Sequence, residues 1–361
     1  MNYTDVLTKD EKVVFGLREL YTGYGYSQYK MNKFEEYDLY VRNKDFLQGN
    51  GVITFSDTGG ELLALKPDVT LSIIKNTTDR KGCVSKVYYD ENVYRISGTT
   101  SRFKEIMQTG IECIGDLDGY SLFEVLLLAA RSLEMISERF VLDISHMGII
   151  RAMLSLVGAE GEVASRLSKL ISEKNTHEIS AILNEIGATE DAAQRLISLS
   201  RLYGTAETVL PRLEAICRGV CDEAYLELSS LMALICEAGY GDVVRIDFSV
   251  INNMSYYNGV VFRGFIDGIP EGVLAGGGYG ALMQSMGRTS EAVGFAIYLD
   301  LLEGRAPSRA EYDVDVLLLY DAGASAAAVS RRVAELVKDG LTVSAQCEIP
   351  EKLRYRHIER L

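Results

Sequence analysis

Histidine is scarce in this 361-residue chain: the three present, His146, His177 and His357, lie far apart. The six cysteines, at 83, 113, 217, 221, 236 and 347, form no CxxC pair and no framework spacing. Cys217 and Cys221 would share a helix face, but no histidine lies near them. A zinc site is therefore not expected, and the thiols read as buried groups in a reducing compartment. Proline is also rare, at five, and no charge-dense low-complexity tract occurs, which excludes wholesale disorder. Basic residues are outnumbered 37 to 51, for a net charge of −14. The chain as a whole repels phosphate backbones, so no nucleic-acid partner is expected. Apolar runs are short; residues 125–130 fall far below the ~20 needed to span a bilayer, so no membrane partner is expected. Met1-Asn2-Tyr3-Thr4-Asp5-Val6 lacks the basic and apolar regions of a signal peptide. A cytoplasmic location follows as an expectation.

What is there is an ordinary globular mix, 47% hydrophobic and 24% charged. At roughly 150 residues per domain the length predicts two or three domains. Thr8 and Glu11 form a capping-box pair ahead of a helix ending near Gly23. Strands are predicted at 51–55 and 61–65 around the turn Asp57-Thr58-Gly59-Gly60. Further strands are expected at 85–89, 92–96 and 104–114. A second capping box, Ser121 and Glu124, predicts a helix to about 138, and 141–145 reads as strand. From about 147 to 240 the period becomes helical, as in Leu167, Leu170, Ile171 and later Leu226, Leu231, Leu234. Strands resume at 243–250 and 259–266, followed by the glycine run 276–280 and a helix-like 281–286. Residues 292–302 read as strand-to-helix or as buried helix. The end of the chain predicts one βαβ unit (314–320, 324–338, 341–345) and a mixed-charge tail, 352–361. The sum is a largely antiparallel α+β protein interrupted by helices.

Several polar groups stand where a ligand could meet them. In a strand over 104–114, Ile106, Gln108, Gly110, Glu112 and Ile114 face one way. Gln108 and Glu112 would flank the space left by Gly110, an amide beside a carboxylate, suited to an ammonium or imidazole; a solvated sheet face gives the same pattern. Arg95, inside Val93-Tyr94-Arg95-Ile96, wants an anion, either a ligand's carboxylate or phosphate or an internal pair with Glu112. In Pro67-Asp68-Val69-Thr70, Asp68 and Thr70 present oxygens to a site, or Asp68 caps a helix over 71–75. Tyr256 and Tyr257 read as packing on pattern alone, and Gly276–Gly280 as a tight turn. No catalytic triad, Cys–His pair or paired-carboxylate arrangement stands out, and no cofactor motif is complete.

In this order, these stretches resemble the catalytic core of histidyl-tRNA synthetase over roughly residues 5–302. Leu65-Lys66-Pro67-Asp68-Val69-Thr70 is similar to the family's L-R-P-E-x-T segment, whose acid and Thr hold the histidine amino group. Residues 93–115 resemble class II motif 2, with Arg95, Arg102, Glu105, Gln108, Gly110, Glu112 and Gly115 in place. Tyr256-Tyr257-Asn258-Gly259-Val260-Val261-Phe262 resembles D-Y-Y-x-G-x-V-F. Residues 276–282 resemble G-G-R-Y-D-x-L, and Val293-Gly294-Phe295-Ala296-Ile297 the opening of motif 3. The resemblance implies a class II synthetase-like core, an antiparallel sheet flanked by helices with a helical insertion at about 147–240, and a short truncated α/β segment at 311–361. It assigns the histidine ammonium to Asp68 and Thr70, the carboxylate to Gln108 and Arg95, and the imidazole to Glu112, Tyr256 and Tyr257. Arg102 and Glu105 would be residual phosphate or ATP-type contacts.

The departures carry as much information as the matches. Asn252 stands at the position of the Arg in the family's R-G-L-D-Y-Y. Gly278 and Gly280 replace the Arg and Asp of G-G-R-Y-D, and Leu301 falls at the motif 3 Arg. Losing one donor to a developing phosphate charge costs roughly 10²–10³ in rate. A core of this kind, without those arginines and with only about fifty residues after motif 3, resembles the regulatory-subunit family of ATP phosphoribosyltransferase, HisZ. That resemblance implies a non-catalytic protein without cofactor or metal, a homodimeric core joining the short catalytic subunit in a hetero-oligomer, and histidine as ligand and feedback signal. A divergent amino-acid-activating enzyme and a synthetase-derived accessory binding protein are the competing readings.

Overall fold

A computed structural model of the chain describes residues 7–43, 51–79, 81–96, 102–251, 256–302, 312–321 and 323–361. The sequence correspondence at Asn252 lies outside the described residues. The chain divides into two compact units: Val13–Leu302, and the remainder at its two ends.

Helix α1 (Lys9–Gly23) starts at the expected box: Thr8 N donates to Glu11 Oε2 at 2.8 Å, and Glu11 N to Thr8 Oγ1 at 3.2 Å. Short elements follow: β1 (Ser27–Gln28), β2 (Phe34–Glu36), α2 (Tyr37–Arg42), β3 (Thr54–Ser56) and β4 (Leu62–Leu65). The β3–β4 turn closes on Asp57, whose Oδ1 accepts from Gly59 N at 2.7 Å and Glu61 N at 2.9 Å. After α3 (Thr70–Asn76) come two long strands, β5 (Val84–Ile96) and β6 (Phe103–Gly115). The sequence divided β5 into two strands. It is continuous because Asp90 and Glu91 keep their places in the ladder, opposite Thr109 and Gln108.

Helix α4 (Gly119–Ile136) begins earlier than expected, because Asp118 is its N-cap. Asp118 Oδ1 accepts from Ser121 N at 2.9 Å. Ser121 is therefore the third helical residue, and Glu124, expected to cap it, instead takes Lys86 Nζ at 2.6 Å. Strand β7 (Phe140–His146) leads into six helices, α5 (Met147–Leu156), α6 (Gly161–Ser172), α7 (Thr176–Glu185), α8 (Glu190–Ser200), α9 (Ala206–Cys217) and α10 (Asp222–Glu237), with β8 (Tyr203–Gly204) between α8 and α9. Leu167, Leu170 and Ile171 are buried as their spacing predicts. In α10 the stripe was misphased. Leu226 and Leu234 are exposed, and the helix buries Leu228, Leu231, Met232 and Ile235, the i, i+3, i+4, i+7 set that faces the core.

The core returns with β9 (Val244–Asp247), β10 (Val260–Ile266), β11 (Leu274–Gly278), α11 (Gly280–Ser285) and β12 (Glu291–Tyr298). Residues 276–278 are therefore strand, not a tight turn. The apolar run after residue 291 is a central strand ending in a 3-10 turn, Leu299–Leu301. A short apolar run fits either buried element, and pairing on both edges settles it.

Among the described residues the main sheet has nine strands, in the order β1-β5-β6-β12-β11-β10-β7-β9-β8. Only β1–β5 and β7–β9 are parallel. Helix α4 lies across β6, β12, β11, β10 and β7. The period of two then sorts the residues: Tyr88, Ile111, Cys113 and Phe295 join the α4-side core, while Tyr89 and Ile114 join a second cluster with Tyr256 and Tyr279. The second cluster belongs to the face that carries the site. Strands β2, β4 and β3 form a small antiparallel sheet of their own.

In the other unit, β13 (Val314–Leu319), α12 (Ala326–Lys338) and β14 (Val343–Gln346) make the expected βαβ unit. The mixed-charge tail is not a tail: Tyr355–Arg360 forms β15, parallel to β13. Its charges hid it, but Arg332 of α12 holds it, donating to both Glu359 oxygens at 2.6 and 3.0 Å.

Candidate functional site

The site is built on the sheet face opposite α4. Gln108, Gly110 and Glu112 alternate along β6, and across the ladder they meet Tyr298, Ala296 and Gly294 of β12. Two glycines make that floor possible. A Cβ on Gly294 would stand 1.9 Å from Glu112 Oε2 and 2.4 Å from the Ile111 carbonyl oxygen. One on Gly110 would stand 2.1 Å from the Phe295 carbonyl oxygen. Neither position tolerates a side chain without moving backbone.

Asp68, Thr70, Arg95, Gln108, Glu112, Tyr256 and Tyr257, the seven residues singled out for an amino acid, all line one cavity. Its volume is about 40 Å³, space for roughly three waters at ~10–15 Å³ each. Tyr89, Tyr279 and Tyr298 complete an aromatic wall. Tyr256 packs against Tyr257 and Tyr279 at ring-centroid distances of 4.5 and 5.7 Å.

Glu112 is the buried centre. Its Oε1 accepts from Thr70 Oγ1 at 2.7 Å and its Oε2 from Tyr279 OH at 2.5 Å. Burial pushes its carboxyl up to about 8 even against these two hydrogen bonds, with Asp68 adding repulsion. The cost of an ionised carboxyl in this site is therefore larger than two hydroxyl donors can offset. Tyr279 was missed in the sequence because it stands within a glycine run read as a turn. The useful signal was a lone aromatic where the chain leaves a strand.

Asp68 serves both readings made of it. Its Oδ1 caps α3, accepting from Leu71 N at 3.0 Å, while Oδ2 lies 3.7 Å from Arg95 Nη2. Burial holds its carboxyl above the ordinary range, partly offset by Arg95 and the N–H groups of Leu71 and Thr70. Arg95 is thus paired with Asp68, not with Glu112, and its Nε donates to the Pro67 carbonyl oxygen at 2.7 Å. Gln108 is 2% exposed and its Nε2 has no partner among the described residues.

The other two candidates stay outside the cavity. Arg102 is exposed where β6 begins, and Glu105 accepts from Asn92 Nδ2 at 2.6 Å and Tyr94 OH at 3.0 Å. Leu301, at the arginine position of motif 3, packs against the apolar core. Gly278 and Gly280 line a second cavity of about 500 Å³ with His146, Glu227, Asn258 and residues of α4 and α10. The His146–Glu227 pair there, Nε2 to Oε2 3.2 Å, was also unforeseen; residues so far apart in sequence leave no local pattern. No group of three or more His, Cys, Asp or Glu able to hold a metal occurs among the described residues. No described helix is long and apolar enough to cross a membrane. Two carboxyl groups, Glu112 held neutral up to about pH 8, one arginine paired with Asp68, a neutral amide donor and aromatic walls are what the cavity offers a ligand.

The family model for histidyl-tRNA synthetase matches residues 5–302. The chain belongs to the histidyl-tRNA synthetase family. A similar curated protein is the ATP phosphoribosyltransferase regulatory subunit of Oceanobacillus iheyensis, 28% identical over 305 residues, 83% of this chain and 75% of that one. In structure, the chain resembles an ATP phosphoribosyltransferase regulatory subunit/histidyl-tRNA synthetase from Bacillus halodurans, with a TM-score of 0.79, 21% identity, and coverage of 97% and 93%. It also resembles a chain of the ATP phosphoribosyl transferase (HisG:HisZ) complex from Thermotoga maritima, with a TM-score of 0.62, 20% identity, and coverage of 80% and 96%. The histidyl-tRNA synthetase-like core thus has the class II aminoacyl-tRNA synthetase fold.

Proposed function

We propose that this chain is a regulatory subunit of ATP phosphoribosyltransferase, acting in histidine biosynthesis and binding histidine in the Glu112 cavity. One observation carries the reading beyond the relatives' names: an amino-acid-sized set of polar groups is assembled, while apolar Leu301 and side-chain-free Gly278 stand where the synthetase pattern has cations. Phosphoryl chemistry needs such cations to stabilise developing negative charge; ligand binding does not. The chain is accordingly non-catalytic, and works in the cytoplasm as a homodimeric core joined to the short catalytic subunit. Residues 1–302 are the synthetase-like core with an insertion at about 147–240, and 311–361 a short α/β segment. Asp68 and Thr70 take the ammonium of histidine, and Glu112 with Tyr256 and Tyr257 takes the imidazole. Histidine regulates by binding the inhibited assembly more tightly, with coupling of about 1–3 kcal/mol.

The test is to mix the chain with the short catalytic subunit and follow phosphoribosyl-ATP formation from ATP and phosphoribosyl pyrophosphate. Activation by the chain, reversed by histidine, is expected. Absence of both activation and complex formation overturns the reading.

A further inference from the structure

Cys217 and Cys221, whose spacing suggested one helix face, stand on either side of a turn. Cys217 is the last residue of α9 and Cys221 the N-cap of α10. Between them Arg218, at φ −52° and ψ 120°, and Gly219, at φ 73°, reverse the chain. This is the pattern of a type II turn, whose third residue requires a positive φ. The Cys217 carbonyl oxygen accepts from Val220 N at 2.9 Å and from Cys221 N at 3.0 Å. Bond lengths then leave the two Cα atoms no more than roughly 7 Å apart, the outer limit for a disulfide. The side chains also converge, because the Cys217 thiol donates a hydrogen bond to the Cys221 sulfur. Cys217 is fully buried, whereas Cys221 is half-buried and open to solvent on one side. Arg195 is fastened over the turn, its Nη1 donating to the Ile216 and Arg218 carbonyl oxygens at 2.9 and 3.1 Å.

The two thiols are unequal. The hydrogen bond from Cys217, with the Arg195 guanidinium nearby, pulls the Cys221 thiol below its ordinary pKa, against partial burial and the Asp222 carboxylate. The same hydrogen bond, together with burial, keeps Cys217 protonated. A thiolate is the nucleophile in thiol oxidation, and a second thiol within reach resolves the product to a disulfide. We propose that Cys217 and Cys221 form a reversible dithiol–disulfide site oxidised by hydroperoxides, with Cys221 attacking and Cys217 resolving. The Cys221 sulfur attacks one peroxide oxygen, the O–O bond breaks, and the other oxygen leaves with a proton as water or an alcohol. Cys221 is then a sulfenic acid. The Cys217 sulfur attacks it, the S–S bond forms as the S–O bond breaks, and the hydroxide leaves as water with the Cys217 proton. Two thiols and one hydroperoxide thus give one disulfide, one water and one further water or alcohol. The bridge closes a very short loop and adds little stability, and a dithiol reductant restores both thiols by exchange.

The experiment exposes the reduced full chain to hydrogen peroxide, blocks the remaining thiols, digests with trypsin without reductant and weighs the peptides. Cleavage after Arg218 separates the two cysteines, so the bridge is read as two linked peptides, lighter than their sum by two hydrogens. That link is expected to form about tenfold faster than oxidation of the exposed Cys83, Cys236 and Cys347, and to be erased by dithiothreitol. Cys236 shares the second peptide, so Cys221→Ser is run beside the parent; serine is a preferred N-cap, and the fold is kept. Loss of the link in that variant supports the proposal, and a link that survives runs to Cys236 and overturns it. Dimedone added with the peroxide should capture a sulfenic acid at Cys221 of the parent; capture at Cys217 instead overturns the assigned order. Oxidation of the three exposed thiols first, sulfinic acid at Cys221 with no link, or no oxidation of the pair at all overturns the site itself.

Discussion

The helical insertion and the site-bearing face of the sheet are made from opposite materials. In α5–α10 most buried positions are aliphatic, as in Leu167, Ile171, Leu213 and Leu228, and α7 and α8 start at the side-chain caps Asn175 and Thr189. On the sheet face the buried positions include Gln108, Glu112 and Thr70, and glycine is required beside them. Apolar burial favours folding with every residue, whereas a carboxyl buried without a cation opposes it. The insertion is therefore held by ordinary apolar packing, in one core with the α4 side of the sheet. The pocket persists because the sheet around it holds it in place.

That contrast can be broken or sharpened by substitution. The largest effect on stability is expected from Leu213→Ala in the insertion, a fully buried side chain. Deleting it should cost about 2–5 kcal/mol in urea unfolding while leaving ligand affinity per folded molecule unchanged. Next comes Gly294→Ala, which drives a Cβ into Glu112 and the Ile111 carbonyl. It should cost about 1–3 kcal/mol and, unlike the first, abolish histidine binding in calorimetry.

Glu112→Gln should reverse the usual sign. The folded-state carboxyl titrates at about 8, above its ordinary value of 4.5. The folded protein thus keeps a proton that the unfolded chain gives up between those values. Stability contributed by the neutral group is complete below pH 4.5 and is lost as pH rises towards 8. The variant should unfold less readily than the parent at pH 8, with a flatter dependence of stability on pH; an equal slope in parent and variant would refute the assignment. The smallest effect belongs to Thr189→Ala, where losing the hydrogen bond from Ala192 N should cost about 1 kcal/mol in thermal unfolding.

How much of this could be read in the sequence follows from the range of the interactions. Local signals served well: the Thr8–Glu11 box and the Asp57 turn formed as spaced. The alternation along β6 placed Gln108 and Glu112 on one face because a strand's period is two whatever it pairs with. Long-range partners were harder. Arg95 was given a ligand anion or Glu112 as its partner and pairs instead with Asp68, which depends on where α3 begins. Tyr279 reaches Glu112 from 167 residues away, and β15 exists only through its pairing with β13. Leu226 and Leu234 in α10 misled because their spacing is helical too; only packing against the core decides which stripe turns inward.

The central claim, that the Glu112 cavity is where histidine acts, is tested by comparing the parent chain with Glu112→Gln in complex with the short catalytic subunit. Phosphoribosyl-ATP formation is measured as histidine is raised. The account predicts that both chains activate the catalytic subunit and that only the parent complex is suppressed by histidine. Equal suppression of both complexes would contradict it and place the histidine sensor elsewhere.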